Sequence, residues 1–207
     1  MRAYKFLQPG AVGRFSGFRW PQPEGHAPGP WVHAAGAPAT CRQGVHACRI
    51  DDLPWWLGPE LWEVELAGEL RAYAHKVAAP RGRLLARIEG WTGAAQHEYA
   101  EACAWRARDR GVEALDGASA ERLAACASLE EVQVTARALA DAAPTARIAL
   151  IMAADGAMAA VSELPAMGAY VAAHAARHAA GDEAMAAERR WQAAWLAERL
   201  ELSASPA

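Results

Sequence analysis

Long apolar segments are absent from this sequence. The best candidate for a membrane span, residues 146–161, is interrupted by Arg147 and by Asp155. Because a membrane-spanning helix needs about 20 consecutive apolar residues, we expect no span and no membrane partner. The opening residues MRAYKFLQPG also lack the apolar core of a secretory signal peptide. The sequence therefore predicts a cytoplasmic protein.

Cysteine is scarce in this chain, and lysine is scarcer. The 207 residues include four cysteines. Without an export signal these cysteines should stay reduced, so we interpret them as core residues, metal ligands or reactive thiols and not as disulfides. The only lysines are Lys5 and Lys76, and arginine supplies the other basic side chains. Together with the high alanine content, this bias is typical of a GC-rich genome.

A large excess of basic charge is also missing. The formal net charge is −3, whereas nucleic-acid-binding proteins usually carry a strong basic field, so a nucleic-acid partner is not expected. The chain contains no P-loop, no G-x-G-x-x-G and no G-x-S-x-G. These absences exclude the two common phosphate-cradling loops and the nucleophile elbow of α/β-hydrolases.

Short segments with a period of two residues fill the first part of the chain. They predict strands at residues 2–7, 31–33, 45–49, 61–66, 70–77 and 83–88. The connections are too short for parallel crossovers, so an antiparallel sheet is expected, with a hairpin at Ala67-Gly68. Asp51 or Asp52 is expected to cap a short helical turn. Residues 8–44 form a long loop whose aromatic side chains predict an ordered structure.

After Trp91 the apolar period changes to 3.6 residues, which is typical of helices. Thr92 is predicted to cap the first helix, and Ser128 with Glu131 forms a capping box at the start of a later one. Asp182 is expected to cap the last helix. The sequence thus predicts an α+β protein: a small antiparallel sheet with a long aromatic-rich loop, followed by an Ala-rich helical bundle.

The change of period also predicts the domain boundaries. We expect an aromatic-rich α+β half at residues 1–91, a helical bundle at residues 92–202 and a disordered tail at residues 203–207. The Ala-rich bundle is the candidate surface for a homodimer.

The most specific chemical pattern is the segment CRQGVHAC, which contains Cys41, His46 and Cys48. If residues 45–49 form a strand, His46 and Cys48 project from one face, and Cys41 folds back from the incoming loop. Thiolate and imidazole are typical ligands of Zn²⁺, so one interpretation is a zinc site. The candidates for a fourth ligand are His33, His26 and His75.

Two other interpretations of this segment are open. In the first, the cysteines are small core residues and the histidine is satisfied by backbone groups. In the second, His46 activates Cys48 or Cys41 as a nucleophile. The spacing reveals no acid that would orient the imidazole in such a pair.

Two further features are candidates for chemistry. Glu63 and Glu65 share one face of the predicted strand 61–66, where they could act as a general acid or base or form its polar outer face. They also resemble the E-x-E of ADP-ribosyltransferases, which implies NAD as substrate. Trp20 and Trp31 of the long loop could form an aromatic cleft for a small ligand, with core packing as the alternative.

The first half of the chain also resembles a family of uncharacterised actinobacterial proteins, in the segments AYKFLQPGAVGRFSGFRWP, CRQGVHAC, DLPWWLGPELWEVELAGE and APRGRLLARIEGW. The C-x2-G-V-H-A-C core, followed by a W/V-E-x-x-G strand, is similar to a domain of unknown function found in phages and other bacteria. The likeness implies a cytoplasmic bacterial protein in which Gly44, His46 and Cys48 belong to one unit. It carries over no activity.

Taken together, these features predict an enzyme or small-ligand binder, with or without a metal. Its site would lie near Cys41, His46 and Cys48 and the Trp-rich loop, and Glu63 or Glu65 would be the general base. The first alternative is a non-enzymatic interaction module that uses the helical half. The second is an ADP-ribosyltransferase-like enzyme.

Overall fold

The structure is a computed structural model, and it describes residues 1–36 and 43–203. The chain divides into two compact units. Of the described residues, the first unit contains 1–36, 43–91 and 196–203, and the second contains Thr92–Trp195. Strands lie in the first unit and α-helices dominate the second, so the class is α+β as predicted. The division after Trp91 falls where the apolar period changes, whereas the return of the C-terminal residues to the first unit was not expected.

Two antiparallel sheets form the first unit. One has the strand order β1-β4-β7-β2 and the other the order β3-β6-β5. The strands are β1 Arg2–Leu7, β2 Val32–His33, β3 Val45–Ala47, β4 Glu60–Ala67, β5 Arg71–Tyr73, β6 Lys76–Ala79 and β7 Arg81–Arg87. The predicted strands at residues 2–7, 31–33, 45–49, 61–66 and 83–88 each coincide with an observed strand to within a few residues.

Side chains from both sheets pack into one core. Leu7 of β1, Val64 of β4, Val45 of β3 and Val77 of β6 belong to a single buried cluster, which Trp20 of the long loop joins. The two sheets are also linked through the backbone, because Tyr4 and Cys48 exchange hydrogen bonds of 2.8 and 2.6 Å. The strand β3 is thereby held beside β1.

The predicted hairpin at Ala67-Gly68 is wrong. Strand β4 pairs with β1 on one edge and with β7 on the other, so it has no free edge for residues 70–77. Those residues instead fold on themselves, with a turn at Ala74-His75 between β5 and β6. The local pattern showed the strands and not which of them were neighbours.

The predicted cap of the helical turn was also misplaced. A 3-10 helix, Ile50–Trp55, begins after Arg49 and not after an aspartate. The buried Asp52 acts from inside the helix, where it accepts hydrogen bonds from the Arg49 backbone N–H at 3.3 Å and from Arg49 Nε at 2.8 Å. The guanidinium neutralises a carboxylate that would otherwise be costly to bury.

The start of the long loop is held by the carboxylate of Glu60. Glu60 is only 7% exposed, and it accepts hydrogen bonds of 3.0 Å from the N–H groups of Gly10 and Ala11 and from the indole of Trp62. Ala11 has φ +59°, a left-handed conformation that costs a residue with a Cβ roughly 1–2 kcal/mol. The Glu60 carboxylate therefore stabilises a turn that the backbone alone disfavours. The guanidinium of Arg87 lies 3.6 Å from this carboxylate.

Two predicted helix caps of the second unit, Thr92 and Ser128, are confirmed. Thr92 Oγ1 accepts a hydrogen bond from the N–H of Ala95, and Ser128 Oγ accepts one from the N–H of Glu131. The helices are α1 Gly93–Glu113, α2 Gly117–Ala124, α3 Leu129–Ala142, α4 Arg147–Val161 and α5 Pro165–Arg199. The last is interrupted at Ala180 and Gly181, immediately before the predicted cap at Asp182.

Small residues allow α1 and α4 to approach closely. A Cβ atom placed on Gly156 would lie 3.1 Å from the Cβ of Ala107, closer than most such contacts. Ala104, Ala153 and Ala157 are fully buried in the same core. Within the described residues, no helix is both long and apolar enough to cross a membrane.

We predict that Glu60→Gln lowers the free energy of unfolding by about 2 kcal/mol at pH 7, because it removes a charged acceptor shared by buried donors. The matched control is Glu63→Gln on the same strand, where the carboxylate makes a partly exposed ion pair with Arg2. The control should change stability by less than about 0.5 kcal/mol. Urea unfolding measures both, and equal effects of the two substitutions would contradict the anchoring role of Glu60.

The stability that the Glu60→Gln variant loses relative to the wild type should also depend on pH. Burial raises the pKa of Glu60, but hydrogen bonds from Trp62, Gly10 and Ala11 and the charge of Arg87 lower it more, so the net pKa lies below its ordinary value. A lowered folded-state pKa stabilises the fold above the unfolded-state value of about 4.3. The stability difference from the wild type should therefore be full at neutral pH and shrink as the pH falls below about 4.

Candidate functional site

A cleft of about 780 Å³ opens in the first unit. Its described walls come from β1, from residues 13–20 and 32–35, and from residues 43–48, which include β3, with Trp56 and Lys76 from neighbouring segments. Volumes of this size are typical of sites for small molecules. The cleft lies where the sequence predicted a pocket, between the strand of His46 and the aromatic loop.

Lys5 projects into this cleft from the core side of β1. Because side chains alternate along a strand, Lys5 shares its face with Ala3 and Leu7, which are both buried. Its Nζ donates a hydrogen bond of 2.6 Å to the carbonyl oxygen of His46 and lies 5.4 Å from the ring centre of Trp20. The ammonium is therefore held at a defined place in a largely apolar wall.

The environment of Lys5 disfavours its charged form. Burial lowers the pKa of Lys5 below its ordinary value, a Cys48 thiolate would raise it, and the nearby charge of Lys76 lowers it again. Within the described part of the chain, Lys5 makes no ion pair with a carboxylate. A lysine in such a setting is more easily deprotonated than an exposed one.

The cleft has a positive character. Besides Lys5 it is lined by Lys76 and Arg14, and by the imidazoles of His33 and His46, whereas none of its described lining residues is Asp or Glu. The Nζ of Lys76 lies 5.3 Å from the ring centre of Trp56, which lowers the cost of keeping that ammonium charged. The basic side chains would attract an anionic ligand, and no carboxylate among the described lining residues would repel it.

Aromatic rings supply flat apolar surface in the same cleft. Trp20 is buried, and Phe18 packs edge-on against it with ring centres 5.9 Å apart. Phe15 also lines the cleft, yet it is 84% exposed. A phenylalanine so exposed leaves apolar area uncovered that a flat ligand could bury.

The structure brings together several of the predicted site residues. His46, Cys48, His33 and Trp20 all line the cleft. Cys41 lies outside the described residues, so its predicted place beside them stays a prediction. Across residues 1–36 and 43–203, no group of three or more His, Cys, Asp or Glu side chains is arranged to hold a metal ion. These side chains are therefore not assigned as metal ligands.

Three other predicted site residues have partners elsewhere in the first unit. Glu63 pairs with Arg2 at 3.3 Å, and Glu65 pairs with Arg83 at 2.7 Å. Trp31 lies against the guanidinium groups of Arg83 and Arg81, at 4.5 and 4.9 Å from its ring centre. None of Glu63, Glu65 and Trp31 is among the described lining residues.

Three basic lining residues were missed by the sequence analysis, namely Lys5, Lys76 and Arg14. The scarcity of lysine by itself indicates a genomic bias, but both lysines fall in the aromatic half of the chain. That placement was the available signal. It became meaningful only when folding put both side chains in one cleft.

Comparison with known proteins adds no relative. None of the protein-family models, curated proteins or solved structures matches this chain. The likeness to actinobacterial and phage proteins stays a prediction. Inference about function therefore rests on the chemistry of the cleft.

We predict that Cys48 is a slow thiol in the folded protein. Burial raises the pKa of Cys48 to about 12, and the opposing charge of Lys5 offsets this only in part. Because the thiolate is the reactive form, iodoacetamide at neutral pH should modify Cys48 at least about 100-fold more slowly than a free thiol. Peptide mapping of the modified protein measures this rate.

Cys126, which is partly exposed, provides the internal comparison and should react readily. Cys103 should be protected like Cys48, since burial raises its pKa to about 12 as well. In denaturant all three should react at similar rates. Rapid modification of Cys48 in the folded protein would favour the predicted Cys–His nucleophilic pair.

Proposed function

We propose that the first unit binds a small organic anion with a flat apolar portion, in the cleft between β1, β3 and the aromatic loop. One observation carries this proposal: both lysines of the chain line the same cleft, and its described lining contains no carboxylate. A chain with so few lysines has no general need to place two of them together. A shared anionic ligand accounts for the placement.

Electrostatics supports an anion in particular. The ammonium of Lys5 is half-buried beside Lys76, and two like charges in a desolvated site raise each other's energy. A bound carboxylate, sulfonate or phosphate would lower the energy of both charges. Arg14 is an exposed lining residue whose guanidinium is suited to planar oxyanions.

The aromatic wall sets the shape of the ligand. Trp20 and Phe18 present an edge-to-face pair, and the exposed Phe15 lines the same cleft. Flat conjugated molecules gain both buried apolar area and ring contacts on such a surface. The proposal keeps the predicted enzyme or small-ligand binder and its cytoplasmic setting, and it requires no metal. It does not use Glu63 or Glu65, because neither is among the described lining residues.

A pair of indole compounds tests this proposal. Indole-3-acetate and tryptamine share a flat ring and differ in the sign of their charge. We expect the anion to raise the melting temperature and the cation to leave it unchanged, because a ligand present at 100 times its Kd adds about 2.7 kcal/mol of stability. Equal responses to the two compounds, or no response to several aromatic carboxylates and phosphates, would contradict the proposal.

Variants locate the response within the molecule. Lys76→Met keeps the length of the side chain and removes a cleft charge, and it should weaken anion binding by about tenfold, or 1.4 kcal/mol. Arg71→Met is the matched control, because Arg71 is an exposed basic residue of the same unit that does not line the cleft. The control should bind the anion like the wild type.

Self-association of the helical unit is a second candidate function. Large apolar side chains that are 46–53% exposed follow one another from the end of α4, across the link, into the first turns of α5, namely Val161, Leu164, Met167 and Tyr170. Such neighbouring exposed apolar residues are typical of an interaction surface. They support the predicted homodimer through this unit.

Sedimentation velocity tests the self-association. We expect a dimer at micromolar concentration that Met167→Lys dissociates, because a buried charge without a partner opposes association. Val134→Lys is the control, since Val134 is an exposed apolar residue of α3 in the same unit. A monomer at all concentrations would remove this candidate.

A further inference from the structure

We propose that Lys5 is a nucleophilic amine that forms an imine with the carbonyl group of an aldehyde or ketone bound in the cleft. This inference rests on the proposed function, because the carbonyl compound is expected to be an anion with a flat apolar portion. It goes further by assigning a covalent step to one atom, the Nζ of Lys5.

The position of Nζ is the first argument. Lys5 lies on the core face of β1 between the buried residues Ala3 and Leu7. Its hydrogen bond to the His46 carbonyl oxygen and its contact with the Trp20 ring hold Nζ at the wall of the cleft. An amine held in one place beside a binding cleft loses less conformational entropy when it attacks a bound carbonyl than a mobile surface lysine does.

The surroundings of Nζ are the second argument. An ammonium has no lone pair and cannot attack a carbonyl, so a nucleophilic lysine must be stabilised as the free amine. An apolar setting and a neighbouring cation are the two features that activate lysines in this way. Lys5 has both, since burial and the charge of Lys76 each lower its pKa.

The two lysines differ in the roles that the structure allows. The Nζ of each lysine lies over an indole ring, that of Lys76 over Trp56 and that of Lys5 over Trp20, and such a contact favours the charged ammonium. For Lys5, burial opposes this preference and lowers the pKa. Lys76 and Arg14 are therefore suited to hold the anionic group of the ligand. Lys5 is left to react with its carbonyl.

The covalent step balances without a further reactant. The lone pair of Nζ forms a bond to the carbonyl carbon, and the carbonyl oxygen takes up a proton. The amine loses its proton to give a neutral carbinolamine. Loss of the hydroxyl group as water, with the remaining N–H proton, forms the C=N double bond. The products are the imine and one water molecule, and nothing is oxidised or reduced.

Reductive trapping with pyridoxal 5′-phosphate tests the inference. This aldehyde is flat and anionic, and sodium borohydride converts its imines to stable secondary amines that peptide mass mapping can locate. We expect the product on Lys5 at about tenfold or higher yield than on Lys76. The mapping uses the unchanged chain, so the comparison does not depend on a variant that may fold poorly.

Two variants sharpen the comparison. Arg71→Lys places a reference amine at an exposed position of the same unit, outside the described lining of the cleft. Lys5 should be labelled about tenfold faster than position 71. Lys5→Arg keeps the positive charge and should abolish the label at position 5 without moving it to Lys76. Equal labelling of Lys5, Lys76 and position 71 would overturn the inference.

Pyridoxine 5′-phosphate separates the inference from the proposed function, because it carries an alcohol in place of the aldehyde. If it raises the melting temperature while the aldehyde leaves no product on Lys5, the imine is wrong and anion binding stands. If the alcohol leaves the melting temperature unchanged and the aldehyde leaves no product on Lys5, both proposals are contradicted for this ligand class. If the alcohol competes with labelling of Lys5, both are supported.

Discussion

The carboxylate of Glu60 holds the part of the first unit on which the cleft depends. It accepts hydrogen bonds from two consecutive amides of the loop and from the indole of Trp62, so it fastens the loop to β4 where β4 begins. From that anchor the chain continues through Phe15 and Phe18 to Trp20. The backbone N–H of Trp20 donates a hydrogen bond to the carbonyl oxygen of Ala11. Residues 8–20 are joined by isolated antiparallel bridges and turns and not by long strands, so the anchor at Glu60 helps their aromatic side chains to form a wall.

The buried carboxylates of the first unit and the lysines of the cleft have different kinds of partner. Glu60 and Asp52 are buried carboxylates, and each is matched by several donors and an arginine. Lys5, by contrast, is a half-buried amino group with a carbonyl and a ring as neighbours and with Lys76 nearby, and its surroundings lower its pKa. Structural charges in this protein are thus satisfied by the chain itself. Among the described residues Lys5 has no carboxylate partner, and burying a charge without one is costly, so the proposed anionic ligand would stabilise this site.

Local signals predicted much of the fold. The strand at Arg2–Leu7 follows its apolar alternation, and the caps at Thr92 and Ser128 follow from a side-chain oxygen placed three residues before an amide. Two predictions, one of strand pairing and one of helix capping, did not agree with the structure. The hairpin at Ala67-Gly68 was wrong because strand pairing depends on which edges other strands occupy. The cap of the 3-10 helix was misplaced because Asp52 acts together with Arg49 from inside the turn.

The sequence by itself determined the α+β class, the change of period after Trp91 and the chemical identity of the candidate residues, because these depend on neighbours within a few positions. His46, Cys48 and Trp20 could be chosen for that reason, and each lines the cleft. Only the tertiary structure decided that Lys5 and Lys76, far apart in the chain, share that cleft, and that Glu63 and Glu65 are not among its described lining residues. Burial and the proximity of charges arise from contacts between distant segments, and no local pattern encodes them.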